Sequence, residues 1–219
     1  PKANAALFWV GGTGMWNDPR HWSLSSGGPG GACVPTANDD VVFDANSFPG
    51  PGAMVMINVD NAYCRSMNWT GATGNPEFLG SLEKNLHLFG SLTLIPGMQF
   101  KVEGDLFFES SQAGNTITSA GKTFAKNATF NGAGSWLLAD SMSVTEDLFL
   151  LQGSLNTNSQ QLALRRFESL VTSARQLKLE NSYVKVRVAD FQYLSWRATS
   201  ENFLFDAGNS TIEFFWYGD

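Results

Sequence analysis

The sequence predicts an all-β chain wound into a right-handed parallel β-helix, a three-faced solenoid with an irregular, tryptophan-rich N-terminal cap. Two observations predict it. The first is a ladder between Asp147 and Val188, where the chain divides into units of seven: DLFLLQG, SLNTNSQ, QLALRRF and, after one slipped residue, SLVTSAR, QLKLENS and YVKVRVA. The second residues of these units are Leu148, Leu155, Leu162, Leu170, Leu177 and Val184; two further on stand Leu150, Thr157, Leu164, Thr172, Leu179 and Val186. Within a unit, apolar and polar residues alternate, as in a strand with one buried face. A period of seven is too short for a hairpin meander, whereas three units make a coil of roughly 20 residues, the scale of a solenoid repeat. The second observation is punctuation. The 22 glycines fall between short apolar runs, and no run is patterned as a long helix.

A heptad also describes a coiled coil, but there the apolar positions lie three and four apart. Here they lie two apart, in units rich in Ser, Thr, Asn and β-branched residues that weaken a helix. The ladder therefore reads as strands, with Leu148, Leu155, Leu162, Leu177 and Val184 stacked inside.

In chain order, residues 1–219 read as a single solenoid domain: 1–80 as cap and first irregular strands, 81–219 as regular coils. Ala6 to Val10 is a short apolar run that ends in Gly11-Gly12-Thr13-Gly14. Trp9, Trp16 and Trp22 then crowd among glycines and Pro19, which fits a compact cap better than a regular element. Val41-Val42-Phe43, Met54 to Val59 and Tyr63 to Trp69 are strand candidates separated by Pro-Gly and Gly-rich turns. Strand cores follow at Leu92 to Leu94, Leu106 to Phe108, Thr116 to Thr118, Ala128 to Phe130 and Trp136 to Leu138, and after the ladder at Asn202 to Phe205 and Ser210 to Trp216.

Composition narrows the function. A formal net charge of -6 argues against a nucleic-acid partner. No run of about 20 apolar residues exists to span a membrane. Arg165, Arg166, Arg175, Lys178, Lys185, Arg187 and Arg197 are half of all Lys and Arg and interleave with Glu168 and Glu180, the pattern of a solvated strand face.

Catalytic signatures are sparse. Asp39, Asp40 and Asp44 flank a three-residue strand and could hold a water or a Ca²⁺. Asp and Asn also favour such positions through turn and cap hydrogen bonds, the weightier reading. His21 and His87 are the two histidines, and no Cys spacing fits zinc. Gly11-Gly12-Thr13-Gly14 lacks the Lys and helix of a phosphate loop. Trp16, Trp22 and Trp69 could stack on sugar rings, although filling the core uses aromatics more often. No cofactor is expected. Cys33 and Cys64 are an even count that spacing alone does not pair.

The stretch from Phe8 through Trp9, Gly11-Gly12-Thr13-Gly14 and Trp16-Asn17-Asp18-Pro19-Arg20-His21-Trp22 resembles the opening of large cell-surface and secreted proteins of Bacteroidetes, just after their signal peptide. Gly30 to Ala37, Asp39 to Phe48, Ala62 to Ala72, Gly90 to Thr93, Ile117 to Gly121 and Thr129 to Gly132 extend the resemblance over most of the chain, with Met15 where Asn is more usual. The resemblance implies export by the type IX secretion system, with the secretion machinery as a transient partner. It also implies an extracellular or cell-surface location and an adhesin or gliding-motility role, with this chain the N-terminal piece of something longer. An exported protein meets an oxidising setting, so a Cys33–Cys64 disulfide is expected. It would close a loop of about 30 residues and contribute roughly 3 to 4 kcal/mol.

Two functions follow as expectations. The first is a non-catalytic surface module for adhesion or display, binding glycans or other surfaces. The alternative is a carbohydrate-active enzyme or glycan-binding domain on the same scaffold, with carboxylates projecting from one sheet.

Overall fold

The strands stack one above another, in parallel, along a single axis. The computed structural model describes residues 6–188 and 194–216. Over them the chain forms an all-β solenoid of about seven turns, with essentially no helix. Three faces are built in turn by each coil. The first stacks Met54–Met56, Glu77–Gly80 and Gln99–Val102, then, as a separate sheet, Thr123–Phe124, Met142–Val144, Leu162–Leu164, Tyr183–Val188 and Thr211–Trp216. The second runs from Asn61–Cys64 through Asn85–Leu88, Leu106–Phe108 and Arg166–Ser169 to Trp196–Ala198. The third runs from Ala6–Trp9 through Asp40–Val42, Met67–Asn68, Leu92–Thr93, Asn115–Thr118 and Arg175–Lys178 to Phe203–Asp206. The long strands Ala128–Leu138 and Asp147–Asn156 turn the corner between the second and third faces without breaking.

The glycines in those two strands explain the turn. A Cβ on Gly132 would lie 2.3 Å from the Ser110 carbonyl oxygen. One on Gly153 would lie 2.1 Å from that of Gly132, and Gly153 has φ +77°, the left-handed region. The ladder register slips between Phe130 and Ser135, as a strand bending at a bulge must.

The seven-residue ladder is one face per unit. Leu155 lies beside Leu177 and Leu162 beside Val184. Leu148, Leu155, Leu162, Leu177 and Val184 are all buried, as the alternation predicts. The slipped unit is a correction. Leu170 is 39 % exposed, and the residue that stacks on Leu148 is Phe167. Residues 170–174 belong to the corner, so neither Leu170 nor Thr172 reaches the core. Arg175 corrects the solvated-face reading in the same coil. It points inward beside Gly153, which has no side chain to oppose it. Its guanidinium donates to the carbonyls of Ser169, Ser173, Thr199 and Glu201 and to the Ser169 and Thr199 hydroxyls. It also lies 5.0 Å from the Phe203 ring centroid. A buried cation is tolerable only when its donors are spent this way.

The other two corners carry their own ladders. Between the first and second faces, Asn85 Nδ2 donates to Asn61 Oδ1 at 3.2 Å, the Asp105 amide to Asn85 Oδ1 at 3.1 Å, Asn127 Nδ2 to Asp105 Oδ1 at 2.9 Å and the Asp147 amide to Asn127 Oδ1 at 3.1 Å. Arg165 and Arg166 then close on Asp147, which is buried. Between the third and first faces, four coils place Ala120, Asn158, Glu180 and Gly208 in the left-handed region. Each sits in a turn closed by a backbone bond, such as Gln160 N–H to the Thr157 carbonyl at 2.9 Å.

The tryptophan knot is the lid of this column. Trp9, Trp16 and Trp22 are buried in edge-to-face contacts of 5.0 Å, Trp9 with Trp22 and Trp16 with Trp22. Two of the indole N–H groups are satisfied locally: Trp9 donates to the Gly12 carbonyl at 2.7 Å and Trp22 to that of Trp16 at 2.8 Å. Asp18 caps the 3₁₀ turn Pro19–His21 through the Arg20 amide. Parallel stacking already runs through Met54–Met56 and Glu77–Gly80, inside the stretch that the sequence assigns to the cap.

Leu155→Asp is expected to destabilise the chain by about 3 to 5 kcal/mol, because it buries an unpaired charge. Leu170→Asp, a substitution in the same sequence pattern but on the exposed corner, is expected to stay within about 0.5 kcal/mol of the parent. Urea midpoints read both; equal losses would overturn the corrected register.

Candidate functional site

The acids singled out by the sequence do separate structural work. Asp40 accepts from Arg65 Nε at 2.8 Å, from Arg65 Nη2 and from the Ser66 amide at 3.1 Å. Asp39 caps its own turn, taking the Thr36 amide at 3.0 Å and hydroxyl at 2.6 Å. Asp44 takes the Asn46 amide at 2.9 Å. The structure does not gather these three into a common cation site; each carboxylate serves its own turn or a neighbouring strand. Among the described residues no group of three His, Cys, Asp or Glu side chains is placed to hold a metal.

Of the two readings of the tryptophans, sugar stacking is corrected and core filling, the weightier one, holds. Trp16, Trp22 and Trp69 are all inside. Trp69 stacks on Phe43 with 3.7 Å between centroids and packs against Phe48 and Phe78. The sequence marks these residues as aromatic but does not say that they alternate inward.

The disulfide is also a correction. No bond joins Cys33 and Cys64. Cys33 stands exposed in a loop, whereas Cys64 is an inward residue of Asn61–Cys64 and is sealed beneath the neighbouring coil. A loop outside the barrel does not reach a side chain that faces its axis. Burial pushes the Cys64 thiol well above its ordinary value, with the nearby Asp40 charge adding to the effect.

The outward surface of the second face carries a column that the sequence did not reveal. Tyr63, His87, Phe107, Thr129, Phe149, Glu168 and Arg197 lie side by side, one per coil. His87 stacks on Phe107 at 4.5 Å with planes 7° apart and on Tyr63 at 4.8 Å. Rings stacked along the axis turn their edges to solvent and their faces to each other, so this column stabilises neighbouring strands. His87 Nδ1 lies 2.8 Å from Glu109 Oε2 and Nε2 lies 3.0 Å from Asn61 Oδ1. A recurrence near the coil length is the one sequence signal for this column, and it becomes legible only once that length is known.

The third face offers a concave surface instead. A groove of about 620 Å³ runs along the axis where the second face turns into the third. Its floor is cut by Ala113, Ala133, Gly134, Gly153 and Ala174, at the same corner of successive coils. Backbone crowding forbids anything larger at two of these positions: a Cβ on Gly134 would lie 2.2 Å from the Gln112 carbonyl oxygen, and Gly153 is crowded likewise. One wall is the outward ladder Ser135, Ser154, Gln176 and Leu204, in which the Ser154 hydroxyl donates to Gln176 Oε1 at 3.4 Å. Asn202 and Phe203 close the far end. Arg175 is the one ionic residue of the lining, and its donors are already engaged. Apart from the Arg175 cation the groove is uncharged, hydroxyl- and amide-lined, and stepped by coils about 4.8 Å apart. Its lining holds no pair of acid and base side chains.

Comparison with protein-family models, with curated proteins and with solved structures finds no match to the chain.

In native protein, a thiol reagent is expected to modify Cys33 promptly and Cys64 only on unfolding, as read by mass spectrometry. The raised Cys64 pKa also predicts a pH effect with a definite sign. Below the thiol's ordinary value of 9.0 both states keep the proton, and the stabilising contribution is fully present. Above it the unfolded chain ionises while the folded chain does not, so stability falls as pH rises. Cys64→Val should lessen that decline in urea titrations; an unchanged slope would count against it.

Proposed function

We propose that this chain is a non-catalytic, exported cell-surface module that binds a linear, uncharged glycan along its third face. The observation that carries the reading is the groove of about 620 Å³, whose lining holds no carboxylate, with serine and amide groups on one wall and apolar residues at one end. Sugar hydroxyls pair with such groups in either direction, and pyranose faces pack on apolar surface. An axial run of equally spaced coils offers the same contacts repeatedly, which suits a polymer of repeating units. Several weak contacts in series give useful avidity without a deep pocket. The resemblance of residues 8–22 and of the matching pieces downstream supports the setting: a large Bacteroidetes surface protein, exported by type IX secretion, with an adhesive or gliding role.

The carbohydrate-active alternative rests on one arrangement, His87 held between Glu109 and Asn61 on the outer second face. An imidazole oriented by a carboxylate is the beginning of acid–base chemistry. Both ring nitrogens are engaged, however, and the ring is packed between Tyr63 and Phe107, which supports a stabilising role.

Immobilised chain is expected to retain neutral linear polysaccharides from a glycan panel and to leave them undegraded. Ala133→Trp, a bulky change at an exposed groove position, should weaken retention at least about tenfold while leaving the melting curve in place. Retention unaffected by the substitution would sink the groove assignment. Depolymerisation lost on Glu109→Gln would favour the enzyme instead.

A further inference from the structure

Most lysines of the described chain are matched by a carboxylate. Lys84 lies 2.7 Å from Asp60, Lys101 2.8 Å from Glu77, Lys126 3.1 Å from Asp105 and Lys178 3.1 Å from Glu180. The two other described lysines meet none among the described residues. Lys122 Nζ donates to the Pro96 carbonyl at 2.8 Å, and Lys185 Nζ lies 5.7 Å from the Tyr183 ring centroid. Both line one recess of about 220 Å³ on the outer first face. Thr123, Ser143, Ala163 and Lys185 stack there, one per coil. The small side chains of Ser143 and Ala163 leave the recess between the lysines, and Gln161 adds an amide to its lining. No carboxylate lines it. The acids adjoining it are engaged: Asp140 takes the Ser119 and Ala120 amides at 2.7 Å and 2.6 Å, and Glu213, beside Lys185 in the next coil, holds the Tyr183 hydroxyl. Two cations without counter-charge in one recess invert the sign of a chain whose formal net charge is -6.

We infer that this recess is a second binding site, distinct from the third-face groove, for a short acidic saccharide laid along the axis with its anionic groups on Lys122 and Lys185. The strands at its two ends are three coil spacings apart, about 14 Å, so the lysines suit two separate charges better than one. An ammonium has three donors, and Lys122 spends one of them on Pro96. It is a point charge without the planar fork of arginine, so carboxylate and sulfate ester are both accepted. Between the charges, Ser143 and Gln161 offer donors and acceptors that match sugar hydroxyls in either direction. The acidity of the rest of the chain selects against a densely charged polymer such as nucleic acid, whose remaining charges would be repelled. A sparsely charged saccharide escapes that repulsion.

Calorimetric titration with a sulfated trisaccharide, a uronate trisaccharide, an uncharged trisaccharide and inorganic sulfate tests it. Both acidic saccharides are expected to bind, and the one that binds more tightly names the preferred anion. Lys122→Gln and Lys185→Gln should each weaken them about five- to tenfold, and Lys185→Arg, which keeps the charge, should bind like the parent. Ala133→Trp in the third-face groove should leave this binding unchanged, and the lysine variants should leave retention of neutral polysaccharides unchanged, so the two sites fail or stand separately. If a glutamine variant loses its native circular dichroism, the parent decides: its affinity for the acidic saccharides should fall as salt rises. An affinity indifferent to salt would overturn the inference, as would losses at neither lysine or at one alone. So would an uncharged trisaccharide, or inorganic sulfate by itself, bound as tightly as the acidic saccharides.

Discussion

Every part of this molecule depends on one constraint: a strand in a parallel stack must find its hydrogen-bonding partners in the coil above and the coil below. The backbone of each coil must therefore follow the path of its neighbour closely enough for the same residue to return to the same place. Leu106 returns beside Ala128 and Ala128 beside Leu148 for this reason. Inward columns become continuous apolar stacks, and the interior fills with Leu, Phe, Val and Trp. Corners are where the path can vary. There the chain uses asparagine and aspartate side chains, left-handed residues and glycines to satisfy backbone groups that no longer lie in a strand.

The same constraint governs charge. Ionic side chains pair mainly with a residue one coil away: Lys84 with Asp60 at 2.7 Å, Lys101 with Glu77 at 2.8 Å, Arg197 with Glu168 at 3.2 Å. Exposed pairs contribute at most about 1 kcal/mol each. Their consequence is for the surface, where opposite charges are spent on each other in columns. The third-face groove is lined by hydroxyl and amide groups, with Arg175 as the ionic side chain of its lining.

The two ends of the column are treated differently. At one end Trp9, Trp16 and Trp22 form a lid in which the indole N–H groups of Trp9 and Trp22 are bonded to nearby carbonyls, and an antiparallel pairing of Trp9 with Trp22 turns the chain back on itself. A lid of this kind covers apolar core. At the other end, Phe205 and Phe214 keep inward positions with nothing above them among the described residues.

The sequence by itself determined the strand period, the coil length and the inward columns through Leu148, Leu155, Leu162, Leu177 and Val184. These are local patterns, and side-chain alternation is set by the backbone of each strand alone. It also marked the cap, because a cluster of tryptophans among glycines has no regular structure to join. Only the tertiary structure decided which residues meet across coils. Leu170 and Phe167 are both apolar and close in sequence, and the corner alone decides that Phe167 enters the core. Arg175 reads as a surface cation until Gly153 and Phe203 make room for it. Cys33 and Cys64 are both cysteines, yet one lies in a loop and the other faces the axis. Tyr63, His87 and Phe107 form a column, and Ala113, Ala133 and Ala174 a groove, only because coils of unequal length come back into register. That register is a sum of corner lengths, a property of the whole winding that no single stretch of sequence contains.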